Sequence, residues 1–484
     1  MAGAAYFLEQ MKSSSSSQNF LWLSLILIFP LGAVFWQPIP PNDYWWYLRL
    51  GNEISQTWSV PVIETFSYTQ AGQPMIYHSW LSALFFFGID KLGGVNLTLI
   101  VAALTVAGTY AILWKITREM GVDVRLASLL IVAAEIAGSI NWAVRPQLFA
   151  YPLFALSLLL LYRWAVKEKA HLWLLPLIAL LWVNLHGSFV LLFLLGGAAF
   201  IFGKGDRKKL FLALVAVFVV TLLNPRGFGV WDYILNSLTT VSNQGFSREW
   251  MPPVNEGPQM NLFFAWYLLF MLLVATSKRK LSLVEWAWTL GFGWLGFTGL
   301  RYGIWFLFVI APLSALLLSG FDLGFLDQKE SKEKPAFNVT VATLFLLLPF
   351  GVMPGIRQFW LPDAPSTLST DTPVKAVAWL HEHPELPDPI WADLAFESYL
   401  VYALPERPVW VDTRFEVYPP RHWENFGIVN GARWNWEEVL LEDNINVLML
   451  SQKTQTNLIS AVETSPNWDE VYADDDSKIF LRTP

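Results

Sequence analysis

What most constrains this chain is the recurrence of long, nearly uncharged apolar runs, each close to the roughly 20 residues a helix needs to cross about 30 Å of hydrocarbon. They fall near 20–37, 95–114, 124–144, 146–163, 171–186, 188–202, 210–223, 260–276, 281–300, 302–320 and 336–354. In lipid every backbone N–H and C=O needs a partner inside the protein, so runs of this kind close on themselves as helices. The expected fold is mainly α: a polytopic helical membrane bundle of about eleven spans, followed by a C-terminal extracytoplasmic α/β domain. Of the 484 residues 54% are hydrophobic and only 15% charged, which suits lipid as the main solvent. The net charge of −7 offers nothing to nucleic acid, so membrane lipids are the expected surroundings. With no cysteine there is no disulfide, thiolate metal site or thiol nucleophile.

Orientation follows from lysine and arginine in the short connections. One set of ends carries seventeen, from Lys12 through the Lys204–Lys209 cluster to Lys334, and the opposite set, counted from Arg49 through Arg357, carries seven. The rule puts the N-terminus in the cytoplasm and, after an odd number of spans, the C-terminal domain outside. The first apolar run lacks a small-residue cleavage site and reads as a retained span. The expected organisation is a cytoplasmic tail over 1–19, a membrane domain over 20–354 with outer loops at 38–94 and 224–258, and a soluble domain over 355–484. The Ser13–Ser17 run and the charged stretch Asp327–Lys334 read as flexible cytoplasmic pieces. After Pro354 the pattern predicts helices ending near His381 and over 395–404, 436–441 and 455–463. Strands are predicted at 389–392, 409–412 and 447–450, with a hairpin pairing 470–473 and 478–482. Strands separated by helices make a small α/β sandwich.

Sorting polar residues by side gathers Asp43, His78, Arg145, His186, Asn224, Arg226, Glu249, Arg301, Asp412 and Arg414 on the outer face. Ionisable groups near lipid are costly to leave idle, so their gathering points to a charged, water-filled cavity. The aromatic run after Asn42-Asp43 predicts a short helix lying flat in the interface, with Asp43 at its positive end as a proton acceptor or cation ligand. A plain helix cap is the competing role for Asp43. Arg145 and Arg301, each at an outer turn between spans, suit a lipid phosphate, against ordinary headgroup snorkelling. His186 sits at a tight helix-to-helix tip, where local hydrogen bonding is the usual role. Glu135, in mid-span, must be neutral or paired inside the bundle.

From Asn42-Asp43-Tyr44-Trp45-Trp46-Tyr47-Leu48 onward the sequence resembles a group of bacterial membrane proteins of the glycosyltransferase class C (GT-C) type. The likeness continues through Ser67-Tyr68-Thr69, Gly72, His78-Ser79-Trp80-Leu81, Arg145-Pro146-Gln147, Trp182 to Gly187, Asn224-Pro225-Arg226-Gly227, Glu249-Trp250 and Arg301. It reaches Val411-Asp412-Thr413-Arg414 and the final hairpin, so it spans nearly the whole chain. The resemblance implies transfer of a sugar from a polyprenyl-phosphate donor to an unidentified acceptor at the outer face of a bacterial inner membrane. It makes Asp43 the acidic residue of the first outer loop, acting as base or holding a divalent cation, the one cofactor considered. Tyr47 stands where the group tends to have His, and Ser79 replaces Glu, which leaves Glu249 as the expected partner acid ahead of Glu64. In this reading Arg145, Arg301, His186 and Arg226 hold the donor phosphate, while His78, Asp412 and Arg414 support the acceptor. A noncatalytic GT-C-like scaffold, a lipid-linked saccharide ligase or polymerase, and a transporter are the alternatives; a transporter calls for paired broken helices at mid-membrane.

Overall fold

The computed structural model describes residues 2–239, 245–322, 334–353, 355–364 and 366–483, with side chains from Ser16 onward. Residues 327–333 of the charged stretch lie outside the described residues, as does Pro354. The chain divides into two compact units, each built from three separate stretches of sequence. The first takes residues 1–37, 98–223 and 249–364, and the second takes 38–97, 224–248 and 365–484.

Among the described residues helices cover each of the apolar runs, and two further helices lie in the expected outer loops. In chain order they are α1 (Ala2–Trp36), α2 (Tyr44–Thr57), α3 (Trp80–Glu119), α4 (Val124–Gly138), α5 (Gln147–Lys167), α6 (Leu174–Leu185), α7 (Leu191–Phe202), α8 (Arg207–Thr221) and α9 (Gly229–Thr239). They continue as α10 (Gly257–Thr276), α11 (Leu283–Thr298), α12 (Gly303–Leu318) and α13 (Pro335–Gly351). Among the described residues six segments are long and apolar enough to cross a membrane: 16–36, 80–119, 124–141, 147–167, 257–276 and 300–318. The chain is therefore a membrane protein. The other expected spans are helices of 12 (α6, α7), 15 (α8), 16 (α11) and 17 (α13) residues.

The first unit is wholly helical, with α12 at its centre. Fourteen of the sixteen residues of α12 are buried on all sides, the signature of a helix with no solvent face. The Ser13–Ser17 run lies within α1, which packs along α13, and Ser17 accepts a hydrogen bond from Asn338 at 3.3 Å. Glu135, in α4, is fully buried and neither carboxyl oxygen has a hydrogen-bond partner among the described residues, so it is not paired. Bare burial of that kind is compatible only with the neutral acid.

The second unit joins α2, the start of α3, α9 and the C-terminal α/β domain. In α3 the helix is broken at Gly93 and at Gly94, whose φ of +61° favours glycine. The C-terminal elements are α14 (Val374–Glu382), β1 (Ile390–Ala392), α15 (Leu394–Ala403), α16 (Pro420–Asn430), α17 (Trp436–Glu442), β2 (Val447–Ser451), α18 (Thr456–Thr464), β3 (Trp468–Ala473) and β4 (Ser477–Arg482). The sheet runs β1-β2-β4-β3, with β1 parallel to β2 and the other pairs antiparallel. All five β2 residues are buried, as a strand covered on both faces requires. The strand expected at 409–412 shrinks to single bridges from Val409 to Ile390 and Ser67. The Trp410 carbonyl turns instead to side chains, accepting from Thr69 Oγ1 at 2.9 Å and lying 3.2 Å from His422 Nε2.

The helix expected to lie flat in the interface is α2, and here the expectation fails. Tyr44, Trp45, Trp46 and Tyr47 are between 0% and 7% exposed, buried in protein. Trp45 packs edge-on against Tyr399 of α15 at 4.8 Å, and Tyr44 against Phe86 at 5.8 Å. The aromatic run supplies a protein core, where edge-to-face pairs add to area burial.

Candidate functional site

In the first unit, Arg145 stands just before α5 and Arg301 in the short turn (Leu300–Tyr302) before α12. Both reach the same dipeptide. Arg145 Nη1 pairs with Glu249 Oε1, and the Arg301 guanidinium lies 4.4 Å from the centre of the Trp250 ring. The backbone reinforces this approach, since Leu300 N–H donates to the Met251 carbonyl at 2.9 Å. Burial pushes the Glu249 carboxyl up, but the Arg145 and Arg301 charges outweigh it and hold the group below the ordinary carboxylate range. A carboxylate so held is a poor proton donor. The structure thus places Glu249 as the counter-charge of Arg145, a different position from the partner acid expected of it.

The Arg145–Glu249 pair is not sealed: its side chains are 28% and 44% exposed. An arginine in that position can exchange a carboxylate for another oxyanion, and a cation stacked on an indole beside it adds a second positive charge. His186 serves its own turn. Its Nδ1 accepts from Ser188 N–H at 3.1 Å and lies 2.7 Å from the Ser188 hydroxyl, capping the 187–190 turn.

In the second unit, Asp43 precedes α2 with helical dihedrals and makes no side-chain cap; the Tyr44 N–H goes to Asn42 Oδ1 at 3.2 Å. The Asp43 carboxylate instead accepts from the Thr413 hydroxyl. That removes the plain helix-cap role. Asp43, Thr413, His78, Tyr233 and Glu416 are all half-exposed, while Tyr44–Leu48, Tyr77 and Ser79 around them are buried. The Tyr233 hydroxyl donates to Glu416 Oε1 at 2.8 Å, and the His78 ring stacks on Tyr233 at 4.5 Å.

Asp412 and Arg414 are not on that half-exposed face. Arg414 is 2% exposed and its guanidinium is fully engaged: Nε binds both Asp412 oxygens at 2.9 and 3.0 Å, Nη1 binds Glu64 Oε2 at 2.6 Å, and Nη2 binds Glu64 Oε1 at 2.9 Å. Glu64 also accepts from the backbone N–H of Phe66 and Ser67 at 2.7 and 3.0 Å, and Asp412 from the Tyr418 hydroxyl at 3.1 Å. Burial pulls the guanidinium pKa down, and Asp412, Tyr77 and Glu64 more than reverse it. The cluster locks the 38–97 segment to the C-terminal domain. Arg226 does similar work, donating from Nη2 to the carbonyls of Pro61 and Met75 at 2.8 Å each.

Sequence reasoning ranked Glu64 low and passed over Thr413, Tyr233 and Glu416. The signal for Thr413 and Glu416 was their place beside Asp412 and Arg414; Glu64 and Tyr233 carried none. As for a cation, no group of three or more histidine or acidic side chains gathers among the described residues. One carboxylate and a threonine do not supply the six or more oxygens of a hard-cation cage.

No known sequence family matches the chain, and no curated protein does. Solved structures do. An archaeal oligosaccharyltransferase, AglB from Archaeoglobus fulgidus, in complex with an inhibitory peptide and a dolichol-phosphate, matches with a TM-score of 0.59 at 14% identity, over 96% of this chain and 74% of that one. The oligosaccharyltransferase of the same organism tethered to an acceptor peptide gives 0.58 at 14% identity over 97% and 74%, and its apo form 0.55 at 14% over 96% and 74%. At this identity the likeness establishes the fold: a GT-C-type helical membrane protein, as the sequence resemblance implied.

Proposed function

We propose that this chain is a membrane glycosyltransferase that takes a saccharide from a polyprenyl-phosphate donor and places it on an acceptor hydroxyl. The observation that carries the reading is the meeting of Arg145 and Arg301 at Glu249–Trp250, with an exposed carboxylate as the exchangeable partner. A donor phosphate replaces Glu249 on Arg145 and gains Arg301, and the lipid phosphate monoester leaves with its charge neutralised rather than protonated. The bond from anomeric carbon to phosphate oxygen breaks, the bond from that carbon to the acceptor oxygen forms, and the acceptor proton goes to a base, the role this reading gives Asp43 on its chemistry and on the sequence resemblance. The fold supports the reading, since its solved neighbour holds a dolichol-phosphate. The charge asymmetry of the sequence supports an inner-membrane orientation with the N-terminus cytoplasmic and residues 355–484 outside.

Asp43→Asn tests it. Asn keeps the shape and the ability to accept from Thr413 but cannot take a proton, so transfer from polyprenyl-phosphate sugars by purified protein should fall by roughly 10²-fold or more with thermal stability unchanged. Unchanged transfer in the folded variant rejects the role of Asp43. Absence of transfer in the parent across a broad donor and acceptor panel favours a noncatalytic scaffold.

A further inference from the structure

The GT-C resemblance leaves a gap at Ser79, where a carboxylate was expected, and the structure closes that position: Ser79 is 2% exposed and its hydroxyl has no hydrogen-bond partner among the described residues. Glu249, the sequence's substitute, is held by Arg145. Another carboxylate belongs to the Asp43 surface. Asp43 accepts from Thr413; Glu416 lies three residues further along the same segment, in the 415–417 turn; and Glu416 accepts from Tyr233. Glu416 Oε1 takes the Tyr233 hydroxyl, which fixes the side chain, while Oε2 has no hydrogen-bond partner among the described residues. His78, flat on Tyr233, completes a half-exposed aromatic stack beside it.

We propose that Glu416 is the second carboxylate of this surface, oriented by Tyr233, and that it selects a neutral or cationic polyhydroxylated acceptor over an acidic one; this rests on the transferase reading above. Sugar hydroxyls and amines donate to carboxylates, and their C–H faces lie on aromatic rings, so Glu416 Oε2 and the His78–Tyr233 stack recognise different parts of one saccharide. Arg414 and Arg226 in this unit, which could have welcomed a uronate or phosphate, are engaged by Asp412 and Glu64 and by backbone carbonyls. Two carboxylates on one surface repel an acidic acceptor, which is discrimination by unfavourable contact.

Binding is measured without donor, so the result does not depend on transfer. Full-length protein in lipid nanodiscs is applied to immobilised neutral hexose, free-amine amino-sugar and uronic-acid oligosaccharides. Neutral and amino oligosaccharides should be retained and uronic-acid ones not. Glu416→Gln should weaken retention of the amino oligosaccharides roughly tenfold or more, the scale of one charged hydrogen bond, with unfolding temperature unchanged. Where transfer is detected, Glu416→Gln should raise the acceptor KM with kcat within a few-fold, whereas Asp43→Asn lowers kcat. Preference for uronic-acid oligosaccharides, retention of no glycan, or equal retention by parent and Glu416→Gln overturns the proposal. Loss of transfer with glycan retention intact overturns the transferase reading and leaves this one standing.

Discussion

The molecule contains two arginine–carboxylate assemblies whose chemistry on paper is the same and whose surroundings are opposite. In the first unit Arg145 meets Glu249 with 28% and 44% of the side chains exposed; in the second, Arg414 meets Glu64 and Asp412 with none above 1%. The buried arginine is bound at Nε and both Nη atoms, by two carboxylates and a tyrosine. Desolvation there cancels much of the attraction, but removing one member strands the others, so such a cluster specifies architecture. The partly exposed pair costs less to separate than the buried cluster, and an arginine that can change partners is what a phosphate site needs. Residue type alone would have given both the same role.

The largest effect that would break this contrast is on the buried side. Arg414→Met leaves Glu64 and Asp412 facing each other in a dry interior and should destabilise the protein by about 3–5 kcal/mol, read as lost yield and a lowered thermal midpoint in detergent. A wild-type midpoint would show the cluster to be expendable. Next in size, Arg145→Ala and Arg301→Ala should each weaken binding of a polyprenyl phosphate by roughly ten- to a hundredfold, about 1.5–3 kcal/mol for a charged hydrogen bond, with little change in stability. Titration of purified protein with the lipid phosphate checks this, and an unfolding effect as large as that of Arg414→Met would erase the distinction. The smallest effect sharpens it. Glu249→Gln removes the competitor for Arg145, so lipid-phosphate affinity should rise a few-fold, on the order of 1 kcal/mol. Because Arg145 and Arg301 hold the Glu249 pKa below the ordinary carboxylate range, acidifying from pH 7 to pH 5 leaves it ionised and should not reproduce the gain.

Sequence placed the helices well because lipid imposes a length and a composition that can be read locally. It placed β1, β2 and the closing hairpin within about two residues, since turns and alternation are local too. What it could not supply was pairing across distance. Glu64 lies in an irregular loop and its partner Arg414 is 350 positions away. Glu249 and Arg145 are 104 apart, and nothing in either stretch announces that one neutralises the other. The α2 aromatics were misassigned for the same reason: a run of Tyr and Trp next to a span reads as an interfacial anchor, and only Tyr399 and Tyr402, far along the chain, turn it into a core. Asp43 stands out in the sequence because residue type, a helix start and proximity to a span coincide in one short segment.

The second unit is assembled from three stretches of chain, of which the last begins at residue 365. A ribosome adding roughly 5–20 residues per second needs roughly 20–70 s to travel from Glu64 to Arg414, and for that interval the first segment exists without its partner. Glu64 and Tyr77 wait in water with no guanidinium between them, and the α2 aromatics have no α15 to cover them. Every chain that stalls or is cut before α15 therefore lacks both the cover of the α2 aromatics and the guanidinium that matches Glu64.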